Sequence, residues 1–211
     1  MAAGLIAGFV DAIAGGGGLL TIPALLAAGL PPSEVLGTNK LQSSFGSFSA
    51  SLHFARKGYV SLRDIWLAVI FTFIGGALGA VLVQSLDPGF LRGLIPILLI
   101  ANAVYFIFSP AAGDIEGHRR IGYPLFALLI GTSIGCYDGF FGPGTGSFFV
   151  IAYVTLLGFT LTAATAHTKV LNFTSNIAAL LFFIAGGKVV WTAGLAMAAG
   201  QFIGALVGEF G

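Results

Sequence analysis

Charge is what this chain has least of. Asp, Glu, Lys and Arg make up 8% of its 211 residues, where a soluble domain carries about 25%. So few charges cannot cover a water-facing surface, which excludes a soluble globular protein. What charge there is nearly cancels, to +1, and that excludes the basic footprint of a nucleic-acid binder. Cysteine occurs once, at Cys136, so neither a disulfide framework nor a cysteine metal cluster is available. The start at Met1 lacks a basic n-region and a small-residue cleavage site, so no cleavable signal peptide is expected.

Apolar residues fill the chain instead. They amount to 57% of it, and the mean hydropathy is +1.00. That is the composition of a polytopic integral membrane protein, all-α, in contact with the lipid bilayer. The 32 glycines fall in a pattern that occurs twice. The first copy reads Gly8-Phe-Val-Asp11-Ala-Ile-Ala-Gly15-Gly-Gly-Gly18, the second Gly135-Cys-Tyr-Asp138-Gly-Phe-Phe-Gly142-Pro-Gly-Thr-Gly146. A shift of 127 superposes Gly8 on Gly135, Asp11 on Asp138, Gly15 on Gly142 and Gly17 on Gly144. Further on the shift is 129, pairing Gly29 with Gly158, Lys40 with Lys169, Gly58 with Gly187 and Gly79 with Gly208. Two homologous repeats are therefore expected within one transmembrane domain over residues 1–211, the first covering 1–110 and the second 121–211. Under the 129 shift Gly211 corresponds to Leu82, so the helix expected at 90–108 has no second-half partner in this sequence. A duplication with interrupted apolar segments at matching places is the mark of a secondary transporter.

Apolar lengths, set against the roughly 20 residues that cross a bilayer, predict spans at 34–54, 65–86, 90–108, 123–141, Leu161–Ala185 and 189–207. Shorter apolar pieces lie at 1–13, 19–28 and 147–157, the last two about half a span. Arg56, Lys57 and Arg63 crowd one loop and Arg119 and Arg120 another, two spans on, which marks that side as cytoplasmic. Lys188 shares that side if the half-spans turn back, making the repeats parallel. It lies opposite if each half-span completes a crossing, making them inverted.

Each glycine run is followed by a half-length helix. Irregular backbone inside a bilayer is tolerated only against protein or a wet cavity. A helix N-terminus there presents free N–H groups and the positive end of the dipole, which favours an anion. Gly15, Gly16, Gly17 and Gly18, with Gly142, Gly144, Thr145 and Gly146, are accordingly candidate substrate-binding backbone. Close helix packing is the plainer reading for single glycines such as Gly75 and Gly79. The run is not a nucleotide loop, since no Lys-Ser/Thr follows it. Lys169 falls about 13 Å into its span at 1.5 Å per residue, an expensive place for a lysine and a functional-site hypothesis by default. Its repeat partner Lys40 sits in Thr38-Asn39-Lys40, matching His167-Thr168-Lys169. Asn39, Gln42, Thr168 and Asn172 could add neutral donors to an oxyanion. Asp11 and Asp138 either hold their glycine loops or a buried lysine in place, or carry coupling protons. His167 is a proton shuttle or a satisfied core histidine.

The segments Asp11-Ala-Ile-Ala-Gly-Gly-Gly-Gly-Leu-Leu-Thr-Ile-Pro23 and Gly37-Thr-Asn-Lys40-Leu-Gln42 resemble the sulfite exporter TauE/SafE family. So do Tyr137-Asp-Gly-Phe-Phe-Gly-Pro-Gly-Thr-Gly-Ser147 and Ala164-Thr-Ala-His-Thr-Lys169. The resemblance covers essentially the whole chain. It implies a multi-pass permease of the bacterial inner membrane, built of two homologous multi-helix halves, that moves sulfite or organosulfur anions such as sulfoacetate or thiosulfate. No catalytic residue, cofactor or metal is expected. Two other readings stand beside it: a passive channel for a small anionic or neutral solute, and an intramembrane aspartyl protease using Asp11 and Asp138 as a pair.

Overall fold

The computed structural model describes residues 6 and 7, 17–108 and 118–210. Asp11, Gly15 and Gly16 lie outside the described residues. Within them the chain is helical, with one isolated bridge between Arg119 and Leu157. The helices are α1 Gly18–Ala27, α2 Pro32–Arg56, α3 Leu62–Gln84 and α4 Pro88–Phe108. They continue with α5 Tyr123–Phe126, which passes through a π turn at Ala127–Gly131 into α6 Thr132–Phe140. Last come α7 Thr145–Leu157, α8 Leu161–Ala185 and α9 Trp191–Phe210. Three helices, Arg63–Gln84, Pro88–Phe108 and Leu161–Ala185, are both long and apolar enough to cross a membrane.

Local sequence explains the ends. Pro31 and Pro32 start α2, where a missing N–H costs nothing, and Glu34 in the first turn complements the dipole. Thr160 caps α8, accepting from the Ala163 N–H. The bounds of α2 and α8 differ by 129 at both ends (161 − 32 and 185 − 56). The positive-φ glycines that stop α1, α2, α7 and α8 are Gly29, Gly58, Gly158 and Gly187, again two pairs 129 apart.

These two central helices lie antiparallel. Lys40 of α2 meets Asn176 of α8, Ser51 meets Lys169, and Thr38 at the start of α2 accepts from the Val190 N–H beyond the end of α8. The segment from Tyr123 to Leu157 is a hairpin that returns to the end it left, because the Arg120 and Ile121 N–H groups both donate to Leu156 O. Arg56, Lys57, Arg63, Arg119 and Arg120 therefore share one end of the bundle, and Lys188 lies at the other. Of the two arrangements open in the sequence, this is the one with Lys188 opposite the arginine loops.

Apolar residues pack in two main layers with polar ones between them. One cluster, including Ile22, Leu36, Val83, Ile95, Phe141 and Phe183, joins α1, α2, α3, α4 and α8 near the Lys188 end. The other, including Ala68, Phe126, Phe149, Tyr153, Leu157 and Leu171, fills the arginine end. The outer faces are apolar as well, with Ile97, Ile100, Ile107 and Phe108 of α4 more than 60% exposed, as lipid contact requires.

The closest helix crossing is α3 on α6. A Cβ built on Gly79 would lie 2.0 Å from Cys136 O, and one on Gly139 2.0 Å from Gly76 O. Only glycine lets these backbones touch. Gly139→Ala should destabilise the protein by about 1–3 kcal/mol through overpacking, read as a lower melting temperature in detergent. Gly93→Ala, where a Cβ meets nothing within 4 Å, should be neutral or stabilising by up to about 1 kcal/mol.

Candidate functional site

Lys40 projects from α2 into the polar layer and meets Asp138 near the end of α6, with Nζ 2.8 Å from Oδ1 and each side chain 2% exposed. A second bond runs from Lys40 Nζ to Asn176 Oδ1 on α8, at 3.1 Å. Asp138 also accepts from Thr145 Oγ1 on α7, at 3.1 Å, and from Ser175 Oγ on α8, in a short bond to Oδ2. The carboxylate thus takes one charged and two neutral donors, from three elements other than its own. Isolated, either charge would be untenable here; paired and hydrogen-bonded, the two are tolerated.

The chain break beside the pair is built by Gly142, Pro143 and Gly144. Gly142 and Gly144 hold φ of +107° and +88°, a region an L side chain rarely enters. Space forbids a side chain as well, since a Cβ on Gly142 would lie 2.8 Å from Lys40 Nζ. Tyr137 pins the break from behind. Its hydroxyl donates to Pro143 O at 2.5 Å and accepts from Asn102 Nδ2 of α4 at 2.8 Å. Gly18, the last glycine of the first run, comes close to this break. A Cβ built on Gly18 would sit 3.0 Å from Pro143 Cγ, so the start of α1 touches the second break.

Between them lies a cavity of about 20 Å³, room for about one water. Gly18, Asn39, Lys40, Ser43, Asp138, Gly142, Pro143, Asn172 and Asn176 line it. Thr21 Oγ1 and Gln42 Nε2 both donate to Asn39 Oδ1, at 2.6 and 2.9 Å, so what Asn39 can offer the cavity is its NH₂ group. Asn172 accepts from Asn176 Nδ2, which fixes the Asn176 oxygen toward Lys40. The side-chain donors left for the cavity are the Asn39 and Asn172 NH₂ groups and the third Lys40 N–H, while Asn176 and Asp138 face it with acceptor oxygens.

Of the residues singled out in the sequence, Gly18, Asn39, Lys40, Asp138, Gly142 and Asn172 meet at this cavity. Gln42 and Thr145 stand one bond behind it, and Gly144 and Gly146 lie at the start of α7. Gly17 precedes α1, its carbonyl accepting from the Leu20 and Thr21 N–H groups. Lys169 and Thr168 are buried on α8 but are not among the cavity's lining residues. Lys169 O accepts from Ser51 Oγ. His167 lines a separate cavity with Asp64, Arg119 and Tyr123. There its Nδ1 lies 2.7 Å from Ala163 O and its ring packs on Tyr153 and Phe159. Sequence reasoning did not single out the Tyr137–Asn102 brace. A buried asparagine inside an otherwise apolar span was its one available signal.

Comparison with known proteins agrees with this architecture. The family model described as sulfite exporter TauE/SafE matches residues 1–210. A probable membrane transporter protein of Haemophilus influenzae is 53% identical over 205 residues, covering 97% of this chain and 80% of its own. The probable membrane transporter protein YfcA of Escherichia coli K12 is 54% identical over 206 residues, covering 97% and 76%. Sulfite exporter TauE/SafE family protein 6 of Arabidopsis thaliana is 28% identical over 101 residues, covering 47% and 24%. No solved structure matches. With the family model spanning nearly the whole chain and relatives above 50% identity along it, the protein is a membrane transporter that belongs to the sulfite exporter TauE/SafE family.

Proposed function

We propose that this chain is a multi-pass inner-membrane carrier for a small oxyanion, sulfite or an organosulfur anion, built as two inverted halves. The observation that supports it best is the buried Lys40 in a cavity that the Asn39 and Asn172 amides also face, where the start of α1 meets the Gly142–Gly144 break. A cation, neutral amide donors and two nearby helix N-termini suit an oxyanion. They repel a cation and offer nothing to a bulky apolar solute. The 129-residue correspondence of helix bounds and the antiparallel course of α2 and α8 support the inverted halves.

A cavity of about 20 Å³ is smaller than an oxyanion, which enters only when the walls separate, and that favours a carrier over a channel. The aspartyl protease reading gains no support. Asp138 is paired with Lys40, whereas such a dyad sets two carboxyl groups against each other to share one proton.

Binding of sulfite, sulfoacetate, thiosulfate, sulfate and lactate to purified protein tests the reading. Sulfur oxyanions should bind and lactate should not. The double variant Lys40→Gln/Asp138→Asn removes both buried charges together and should stay folded. It should lose affinity by about two orders of magnitude or more, the scale for deleting a buried charged contact. Unchanged affinity in that variant rejects the site. Counterflow in proteoliposomes should show trans-stimulation, which a channel lacks. Single cysteines placed at Lys57 and at Lys188, in a Cys136→Ser background, should label with an impermeant maleimide from opposite faces of sealed vesicles.

A further inference from the structure

We infer that Asp138 is the group that takes up and releases a proton during transport, so that a singly charged anion and one proton cross together. This rests on the anion site proposed above and adds its coupling. Lys40 Nζ is already engaged by Asp138 and by Asn176. An anion that takes the third N–H of the ammonium comes to lie beside the carboxylate within the same small cavity. Two negative charges confined there disfavour each other, and the group that can be neutralised takes a proton.

The surroundings of Asp138 are built for both of its protonation states. Ser175 Oγ bonds the carboxylate, but it also lies 3.1 Å from Leu171 O and 3.1 Å from Asn172 O. Thr145 Oγ1 bonds the carboxylate at 3.1 Å and lies 2.6 Å from Gly142 O. Each hydroxyl has one hydrogen and two places to send it. With Asp138 ionised, both hydrogens can point at the carboxylate. With Asp138 protonated, its O–H donates to Ser175 Oγ, whose hydrogen turns to a backbone carbonyl, and the Thr145 hydrogen turns to Gly142 O. Neither state leaves a buried donor without an acceptor.

Charge counting gives the stoichiometry. The unloaded site holds Lys40 positive and Asp138 negative, summing to zero. The loaded site holds Lys40 positive, the anion negative and Asp138 neutral, again summing to zero. A net charge moved through the bilayer interior is costly, and neither form carries one. A doubly charged anion leaves the loaded form at −1. The proton comes from the solution facing the open site and leaves with the anion on the far side.

Among the described residues, the charged group facing Asp138 is Lys40 on α2. From α7 and α8 it meets the neutral Thr145, Ser175, Asn172 and Asn176. α3 packs on α6 through Gly75, Gly76 and Gly79, and its ionisable Arg63 and Asp64 lie at its far end, about 18 Å along the helix. α4 reaches this region with Asn102, on Tyr137. Lys169 and His167 are on α8, outside the cavity lining.

Methanesulfonate, which keeps one negative charge at all working pH values, is the probe, with methanedisulfonate as its doubly charged counterpart. Wild-type protein should bind methanesulfonate about tenfold more tightly for each unit fall in pH while unliganded Asp138 is ionised, the linkage slope for one proton. Mixing in weakly buffered solution should take up one proton per anion bound. The Asp138→Asn variant should bind with no pH dependence, and in proteoliposomes it should exchange anion but not accumulate it under a pH gradient. Flat wild-type binding across pH, absence of proton uptake, tighter binding of the disulfonate, or unchanged gradient-driven accumulation by Asp138→Asn each overturns the inference. The wild-type measurements decide it even if that variant folds poorly. If removing Lys40 abolishes binding while wild-type binding is flat with pH, the anion site stands and the proton role falls. If Lys40 can be removed without effect, the site itself is wrong.

Discussion

Two opposite charges are kept away from water in the middle of an apolar bundle, and the arrangement of four helices follows from keeping them there. Each ion costs several kcal/mol to desolvate, and mutual attraction offsets this only when the remaining bonding capacity is filled. Lys40 comes from α2, Asp138 from α6, Thr145 from α7, and Ser175 and Asn176 from α8. Rotating any of these helices by one residue would turn its polar group toward the apolar layers and strand a charge. The same pair therefore ties four helices together and stands beside the cavity.

Polar side chains inside and apolar ones outside reverse the usual arrangement of a soluble protein. α2 buries Thr38, Asn39, Lys40, Gln42, Ser44, Ser47, Ser49 and Ser51, and α8 buries Thr168, Lys169, Asn172, Thr174, Ser175 and Asn176. Most of the serines and threonines bond a carbonyl one turn back on their own helix, as Ser44 does with Lys40 O and Thr174 with Val170 O. That local bond satisfies the hydroxyl and leaves the helices free to separate without stranding it. The apolar clusters pack on either side of the polar layer, one toward each end of the bundle.

Glycine does two different jobs in this fold. At Gly142 and Gly144 it supplies a backbone conformation and room beside the ion pair, so that the chain can reverse inside the bundle. Along α3 and α6 it removes side chains so that two helices touch backbone to backbone. The first use opens space next to a charge; the second closes space and joins α3 to α6 over several turns. A carrier needs both, a break where walls can part and a seam that stays together while they do.

Sequence by itself determined the membrane class, the all-helical fold and the places where helices stop. These follow from composition, from apolar length and from glycine and proline, all of them local properties of the chain. It also marked Lys40 and Asp138, because a charge in an apolar stretch is conspicuous wherever it points. Their pairing across 98 residues was decided by the tertiary structure, since partnership depends on how neighbouring helices are rotated and how far each slides along the next. For the same reason the sequence treated Lys40 and Lys169 as equals, and the fold separates them: one lines the cavity and the other lies outside its lining. The end of the bundle at which Lys188 lies was left open by the sequence. It was decided by the Arg120 N–H bonding back to Leu156 O, a contact between residues that no local pattern connects.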